Sequence, residues 1–200
     1  MPPAANAITG LVLAGGQGQR MGGRDKGLIE LNGRLLVDYV IKRFKPQVAA
    51  LIVCANRNQA AYSALGFPVV HDTLVDYPGP LAGILAGLTH CATPWLAVVP
   101  CDSPFLPTDL VAKLAAVATT EDTVAVAATA GDLQPVFALI PCSLRESLAS
   151  FLTSGERKIT RWYTQHRMVP VEFDTADAFD NLNTEADYAR AQRRLSDVPT

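Results

Sequence analysis

The residues best suited to chemistry come early, in Leu13-Ala14-Gly15-Gly16-Gln17-Gly18-Gln19-Arg20-Met21-Gly22-Gly23-Arg24-Asp25-Lys26. Glycines let the backbone take conformations closed to other residues, so several amide N–H groups can turn toward one anion. Arg20, Arg24 and Lys26 add positive charge at the same place. The stretch is not a P-loop, because no Gly is followed by Lys and Ser or Thr, and its glycine spacing is not that of a dinucleotide fingerprint. Nor does an acidic residue follow about twenty positions on, at the end of a second strand, to hold a ribose. The chemistry expected is therefore phosphate binding of another kind.

Further candidates fall at the ends of apolar runs. Asp102 follows the run 95–99, where a carboxylate can hold magnesium or cap a turn before Pro104. Asp72 follows Val69-Val70-His71 in the same way. Pro78-Gly79-Pro80 precedes a helix start that contains Gly83, and the exposed amides of such a turn can read a base edge or simply make a tight connection. Cys54-Ala55-Asn56 closes another apolar run. Arg157, Lys158 and Arg161 form a second basic cluster, either an anion site or a solvated helix face. Asn181 and Asn183 share a face if extended, or else Asn183 or Thr184 caps the last helix. No Ser, Cys or His nucleophilic triad is evident.

Stepping these residues into place requires short strands alternating with helices, the pattern of a layered α/β domain. Strands are expected over 8–14, 50–54, 67–71, 95–99, 123–128 and 135–140, with a Gly131-Asp132 hairpin turn that makes the sheet mixed. Helices are expected over 35–44, 59–65 closed by Gly66, 81–91, 143–152 and 184–195. A chain of 200 residues without repeats or a long linker reads as one domain, residues 1–200.

Composition narrows the partners. Hydrophobic residues make up 49% and charged residues 18%, as in ordinary globular proteins. A net charge of −2 argues against bulk nucleic-acid binding. No apolar run is long enough to span a bilayer, and residues 1–7 lack the features of a secretory signal, so a cytoplasmic protein is expected. Cys54, Cys91, Cys101 and Cys142 show no metal-ligand spacing and read as reduced, buried thiols. His71, His90 and His166 are isolated and read as structural or surface residues.

The glycine-rich stretch, with Arg20-Met21-Gly22 and Asp25-Lys26, resembles the signature of a nucleotidyltransferase superfamily. That group contains molybdenum cofactor guanylyltransferases, cytidylyltransferases and sugar-1-phosphate nucleotidyltransferases. Asp76-Tyr77-Pro78-Gly79-Pro80-Leu81-Ala82-Gly83, Pro100-Cys101-Asp102-Ser103-Pro104-Phe105, Gly155-Glu156-Arg157-Lys158 and Asn181-Leu182-Asn183-Thr184 are similar, in order, to blocks of the guanylyltransferases.

This resemblance implies a three-layer Rossmann-like α/β fold with a mostly parallel, mixed central sheet. It implies transfer of GMP from GTP to the molybdopterin-bound cofactor with release of pyrophosphate. Leu13, Ala14, Gly15, Gly16, Lys26, Cys54, Asn56, Asp72, Gly79, Gly83 and Asp102 would hold the nucleotide, and Asp102 would bind Mg2+. Arg20, Lys26, Asp102, Asn181 and Asn183 would serve catalysis, and Arg157 with Lys158 the pterin substrate. Molybdoenzymes or their chaperones are the implied protein partners. The family commonly has Asn where Cys54 stands, and a thiol is a poor replacement for an amide, so Asn56 is expected to share that contact. The rival readings are cytidylyl or sugar-1-phosphate transfer and, in another class, a non-catalytic GTP-binding adaptor.

Overall fold

The computed structural model describes residues 1–14, 25–72 and 79–196. Gly15, Gly16, Arg20 and the block Asp76 to Pro78 lie outside the described residues.

Seven strands form one sheet in the order β5-β4-β1-β6-β8-β7-β9. In sequence these are β1 (Ile8–Leu13), β4 (Ala50–Cys54), β5 (Val69–Val70), β6 (Trp95–Pro100), β7 (Thr123–Thr129), β8 (Asp132–Pro141) and β9 (Arg167–Glu172). Only β8 runs against the others, so the sheet is mostly parallel and mixed, as expected. A separate hairpin joins β2 (Glu30–Leu31) to β3 (Arg34–Leu35).

Side chains of the central strands alternate between two cores, as the two-residue period of a strand requires. Val12, Val53, Ala97 and Val99 face α1 (Leu36–Phe44) and α4 (Leu110–Val117). Leu11, Ile52, Leu96 and Val98 face α3 (Pro80–His90), α5 (Arg145–Thr153) and α6 (Ile159–Tyr163). The apolar stripe of α1 is Leu36, Val37, Val40, Ile41 and Phe44, a helical repeat that turns one face inward. Leu182, Tyr188 and Ala191 dock α7 (Glu185–Ser196) on Leu31 and Leu36 of the hairpin region. Among the described residues no helix is long and apolar enough to cross a membrane.

Several boundaries differ from expectation. The run 67–71 yields only Val69–Val70, because this edge strand pairs solely with the end of β4. The β7–β8 turn is Ala130-Gly131 rather than Gly131-Asp132. Thr129 pairs with Asp132, and the two residues between them take φ of 50° and 85°. The β2–β3 hairpin, α2 (Gln59–Ser63) in its shortened form, α4, α6 and β9 complete the architecture. Pro170 lies within β9, at the sheet edge where a missing N–H is tolerated.

Gly83 shows how tightly α3 lies on the sheet. A Cβ there would stand 2.7 Å from Leu13 Cδ2 and 3.3 Å from Cys54 Sγ. Gly83→Val is expected to lower stability by about 1–3 kcal/mol through overpacking. A thermal melt should show a fall of several degrees, and an unchanged midpoint would mean that α3 can lift freely.

Candidate active site

The parallel strands β5, β4, β1 and β6 all end at one edge of the sheet. From β1 the chain moves outward to β4 and β5, then returns to the other side of β1 as β6. This reversal leaves a crevice beyond the ends of β1 and β6, the place where open α/β sheets bind ligands. Backbone bonds extend the ladder past both strands: the Ala14 N–H donates to Cys54 O at 2.8 Å, and the Cys101 N–H to Leu13 O at 3.0 Å. Ala14 and Asp102 therefore flank the crevice.

Lys26 and Asp102 meet there. The Lys26 ammonium donates to Asp102 Oδ2 at 2.9 Å, although the residues are far apart in sequence. It also donates to Asn183 Oδ1. Asp102 is 8% exposed, so the pair lies mostly out of solvent, where its charges interact more strongly than on an open surface.

Each partner is held from behind. The neighbour of Lys26, Asp25, is buried and accepts from Tyr62 Oη at 2.6 Å and Asn58 Nδ2 at 3.1 Å. Burial, first among several causes, pushes the Tyr62 phenol far above its usual range, so it remains a donor to Asp25. Asp102 O accepts from the Leu182 N–H at 2.9 Å, and Ser103 Oγ donates to Asn181 Oδ1 at 2.7 Å. Asn183 is steadied in turn by Asp187, whose Oδ2 accepts from the N–H groups of Asn183 and Thr184 at 3.0 and 2.8 Å. The Asp187 N–H donates back to Thr184 Oγ1 at 3.2 Å, completing a capping box at the start of α7. Thr184 is thus the cap, and Asn181 and Asn183 are directed to the crevice residues.

Asp25 and Ser103 stand within family-like blocks of the sequence but carry no expected role there, and Asn58, Tyr62 and Asp187 are not among its candidates. Asp25 stood beside Lys26, and the Thr184 to Asp187 spacing was a readable cap. Nothing in the sequence marked Tyr62 or Asn58 as their partners.

The other expected residues are distributed along the same edge. Asn56 and Asp72, at the ends of β4 and β5, hold each other: Asn56 Nδ2 donates to Asp72 Oδ2 at 2.6 Å, and the Asp72 N–H to Asn56 Oδ1 at 3.1 Å. Cys54 differs from them, being 3% exposed and packed beneath Gly83. Burial, with a smaller contribution from the Asp72 charge, pushes its thiol up to about 12. Cys54 therefore shapes the floor under α3, and Asn56 is the polar side chain at that strand end. Gly79 precedes α3, while Gly83 lies within it and faces the sheet.

Arg157 and Lys158 lie after α5, which runs back from the end of β8 toward the edge where the crevice opens. Arg157 donates to Leu152 O at 3.0 Å, and Arg161 pairs with Glu156 at 2.6 Å. No described hydrogen bond joins this cluster to Lys26 or Asp102. A cavity of about 1130 Å³ between α1 and α4, lined in part by Arg34, Lys42, Arg43 and Arg194, is separate from the Lys26–Asp102 constellation.

The geometry provides a fixed cation, a carboxylate and two amides at one strand edge, suited to orienting phosphates and neutralising their charge. Residues 10–169 match the model of the MobA-like NTP transferase domain. A molybdenum cofactor guanylyltransferase of Cupriavidus necator is 51% identical over 187 residues, covering 90% of this chain and 94% of that protein. One of Ralstonia nicotianae is 48% identical over 198 residues, covering 94% and 97%. In fold, the chain is similar to the molybdopterin-guanine dinucleotide biosynthesis protein A of Archaeoglobus fulgidus. That match has a TM-score of 0.77 at 24% identity and covers 95% of this chain and 100% of the other. With a family model over most of its length and relatives near half identity, the chain belongs to the molybdenum cofactor guanylyltransferase family of MobA-like nucleotidyltransferases.

Proposed function

We propose that the protein transfers GMP from GTP to the phosphate of molybdopterin in the molybdenum cofactor, releasing pyrophosphate. The observation that carries this reading is the convergence of Lys26, Asp102 and Asn183 at the crevice beyond β1 and β6. The acceptor phosphate is already an anion at neutral pH, so the reaction needs no strong general base from the protein. It attacks the α-phosphorus of GTP in line, and the bond to the leaving pyrophosphate breaks. Lys26 neutralises charge on the phosphate oxygens, and Asn183 fixes the direction of its ammonium. Asp25, held by Tyr62 and Asn58, anchors the backbone from which Lys26 projects.

Magnesium suits the donor set. This ion takes one or two protein carboxylates and completes its shell with phosphate oxygens and water, and Asp102 offers a nearly buried carboxylate at the strand end. When bound, Mg2+ supplies Lewis-acid stabilisation of phosphoryl charge. Asp102 would be its protein ligand, and Lys26 would keep that carboxylate oriented. Asn56 and Asp72 are proposed nucleotide contacts at the adjacent strand ends, and Gly79 at the start of α3 is proposed to lie against guanine. Gly15, Gly16 and Arg20 complete the phosphate site in this proposal, with Arg157 and Lys158 facing the pterin. Molybdoenzymes or their chaperones would take the product.

The test is pyrophosphate release from each of the four nucleoside triphosphates, with and without the cofactor. GTP with cofactor should exceed the other three by at least tenfold. Equal or faster turnover of CTP would replace the guanylyl assignment with a cytidylyl one. Binding of GTP with no pyrophosphate released would favour the non-catalytic adaptor.

A further inference from the structure

Cys91 and Cys142 are far apart in sequence but adjacent in the fold. Cys91 follows α3 just before β6, and Cys142 follows β8. In the β6–β8 ladder Trp95 lies opposite Pro141, and the Cys142 N–H donates to Pro94 O at 2.8 Å. Cys91 Sγ turns into the same corner, 3.2 Å from Thr93 O and 3.6 Å from Trp95 O. Both thiols are half-buried, whereas Cys54 and Cys101 are buried. This corrects the expectation that all four cysteines are buried thiols: the antiparallel β6–β8 pairing brings two half-buried ones to the same corner.

From this juxtaposition we propose that Cys91 and Cys142 form a thiol-oxidation site that takes a hydroperoxide and closes to a disulfide. Cys91 is the attacking sulfur. The adjoining Cys142 thiol, the largest influence, lowers its pKa against the opposing effect of burial, and Thr93 Oγ1 lies 3.4 Å from its sulfur. Cys91 beside it, and burial after that, raise Cys142, which therefore stays protonated as the resolving thiol. Burial pushes Cys101 well above the usual thiol range, leaving it unreactive by comparison, as is Cys54.

The electrons balance in two steps. The Cys91 thiolate attacks one oxygen of hydrogen peroxide, the O–O bond breaks, and hydroxide leaves, giving a sulfenic acid. The Cys142 sulfur then attacks the Cys91 sulfur, and the hydroxyl departs as water with the Cys142 proton. Two thiols are oxidised by two electrons, and the peroxide is reduced.

The site lies at the opposite end of β6 from Asp102, roughly 20 Å away at about 3.3 Å per residue. The bond therefore acts on the scaffold rather than on the reacting groups. It would tie the end of α3 to the end of β8 across a loop of about fifty residues, which should raise the thermal midpoint by several degrees.

The test treats the reduced protein with a small excess of hydrogen peroxide, followed by alkylation, peptide mass mapping and a thermal melt. The expected result is loss of two of the four thiols, one dithiothreitol-reversible cross-link between the Cys91 and Cys142 peptides, and a higher midpoint. Cys142→Ser should leave Cys91 as a trappable sulfenic acid, and Cys91→Ser should slow peroxide consumption at least tenfold. Oxidation of Cys91 to sulfinic acid without a cross-link in the unaltered protein would overturn the proposal. Modification of Cys54 or Cys101 at the same rate as Cys91 would do so as well.

Discussion

Asp102→Ala is expected to cut turnover on the order of a hundredfold or more, the cost typical of removing one charge partner of a transition state. The carboxylate is nearly buried, faces the crevice and receives the Lys26 ammonium at 2.9 Å. Its backbone role does not depend on the side chain, since Leu182 bonds to the Asp102 carbonyl. The fold should therefore survive, with a thermal midpoint within a few degrees of the parent. Asp102→Asn should behave alike, because it keeps the shape and removes only the charge. Steady-state pyrophosphate release and a melt on the same samples decide the matter. Near-normal turnover in Asp102→Asn would reduce Asp102 to a turn residue and remove the proposed magnesium ligand.

Lys26→Ala should be almost as damaging, but in a different measurement. Lys26 is assigned to the nucleotide phosphates, so its loss should lower kcat/KM for GTP by roughly a hundredfold while the acceptor KM changes little. The double variant Arg157→Ala/Lys158→Ala should do the reverse, raising the acceptor KM several-fold with GTP affinity nearly unaltered. Charge-assisted contacts are short, and exposed charges more than about 8–10 Å apart are screened at ordinary ionic strength. Arg157 also holds the Leu152 carbonyl at the end of α5, so that variant should melt slightly earlier. Titrating each variant with GTP and with cofactor separates the two clusters. Equal loss of GTP affinity in both would mean that they line one subsite and that the acceptor assignment is wrong.

Much of this protein was legible before folding because its signals are local. Strands 8–14, 50–54 and 95–99 are largely apolar runs, the form taken by strands buried on both faces, and each appears within a residue of its expected span. The helix over 35–44 repeats its apolar residues at helical spacing, which depends on no partner. The glycine-rich stretch points to phosphate chemistry through the conformations that glycine permits and the cations interleaved with it.

Weak or ambiguous local patterns hid other elements. The residues of α4, rich in Ala and Leu, are buried on one face only when β7, β8 and β9 lie beneath them, and β9 carries a Pro that is acceptable solely because its strand is at an edge. Tertiary structure also decided the pairings. Sequence spacing could not show that Asn183 directs Lys26, that Tyr62 and Asn58 hold Asp25, that Cys54 lies under Gly83, or that Cys91 adjoins Cys142. Each of these depends on strand order and register, which bring together side chains separated by tens of residues. Residue types determined which chemistry this chain could perform; the reversal of strand order at β1 decided where its charges meet.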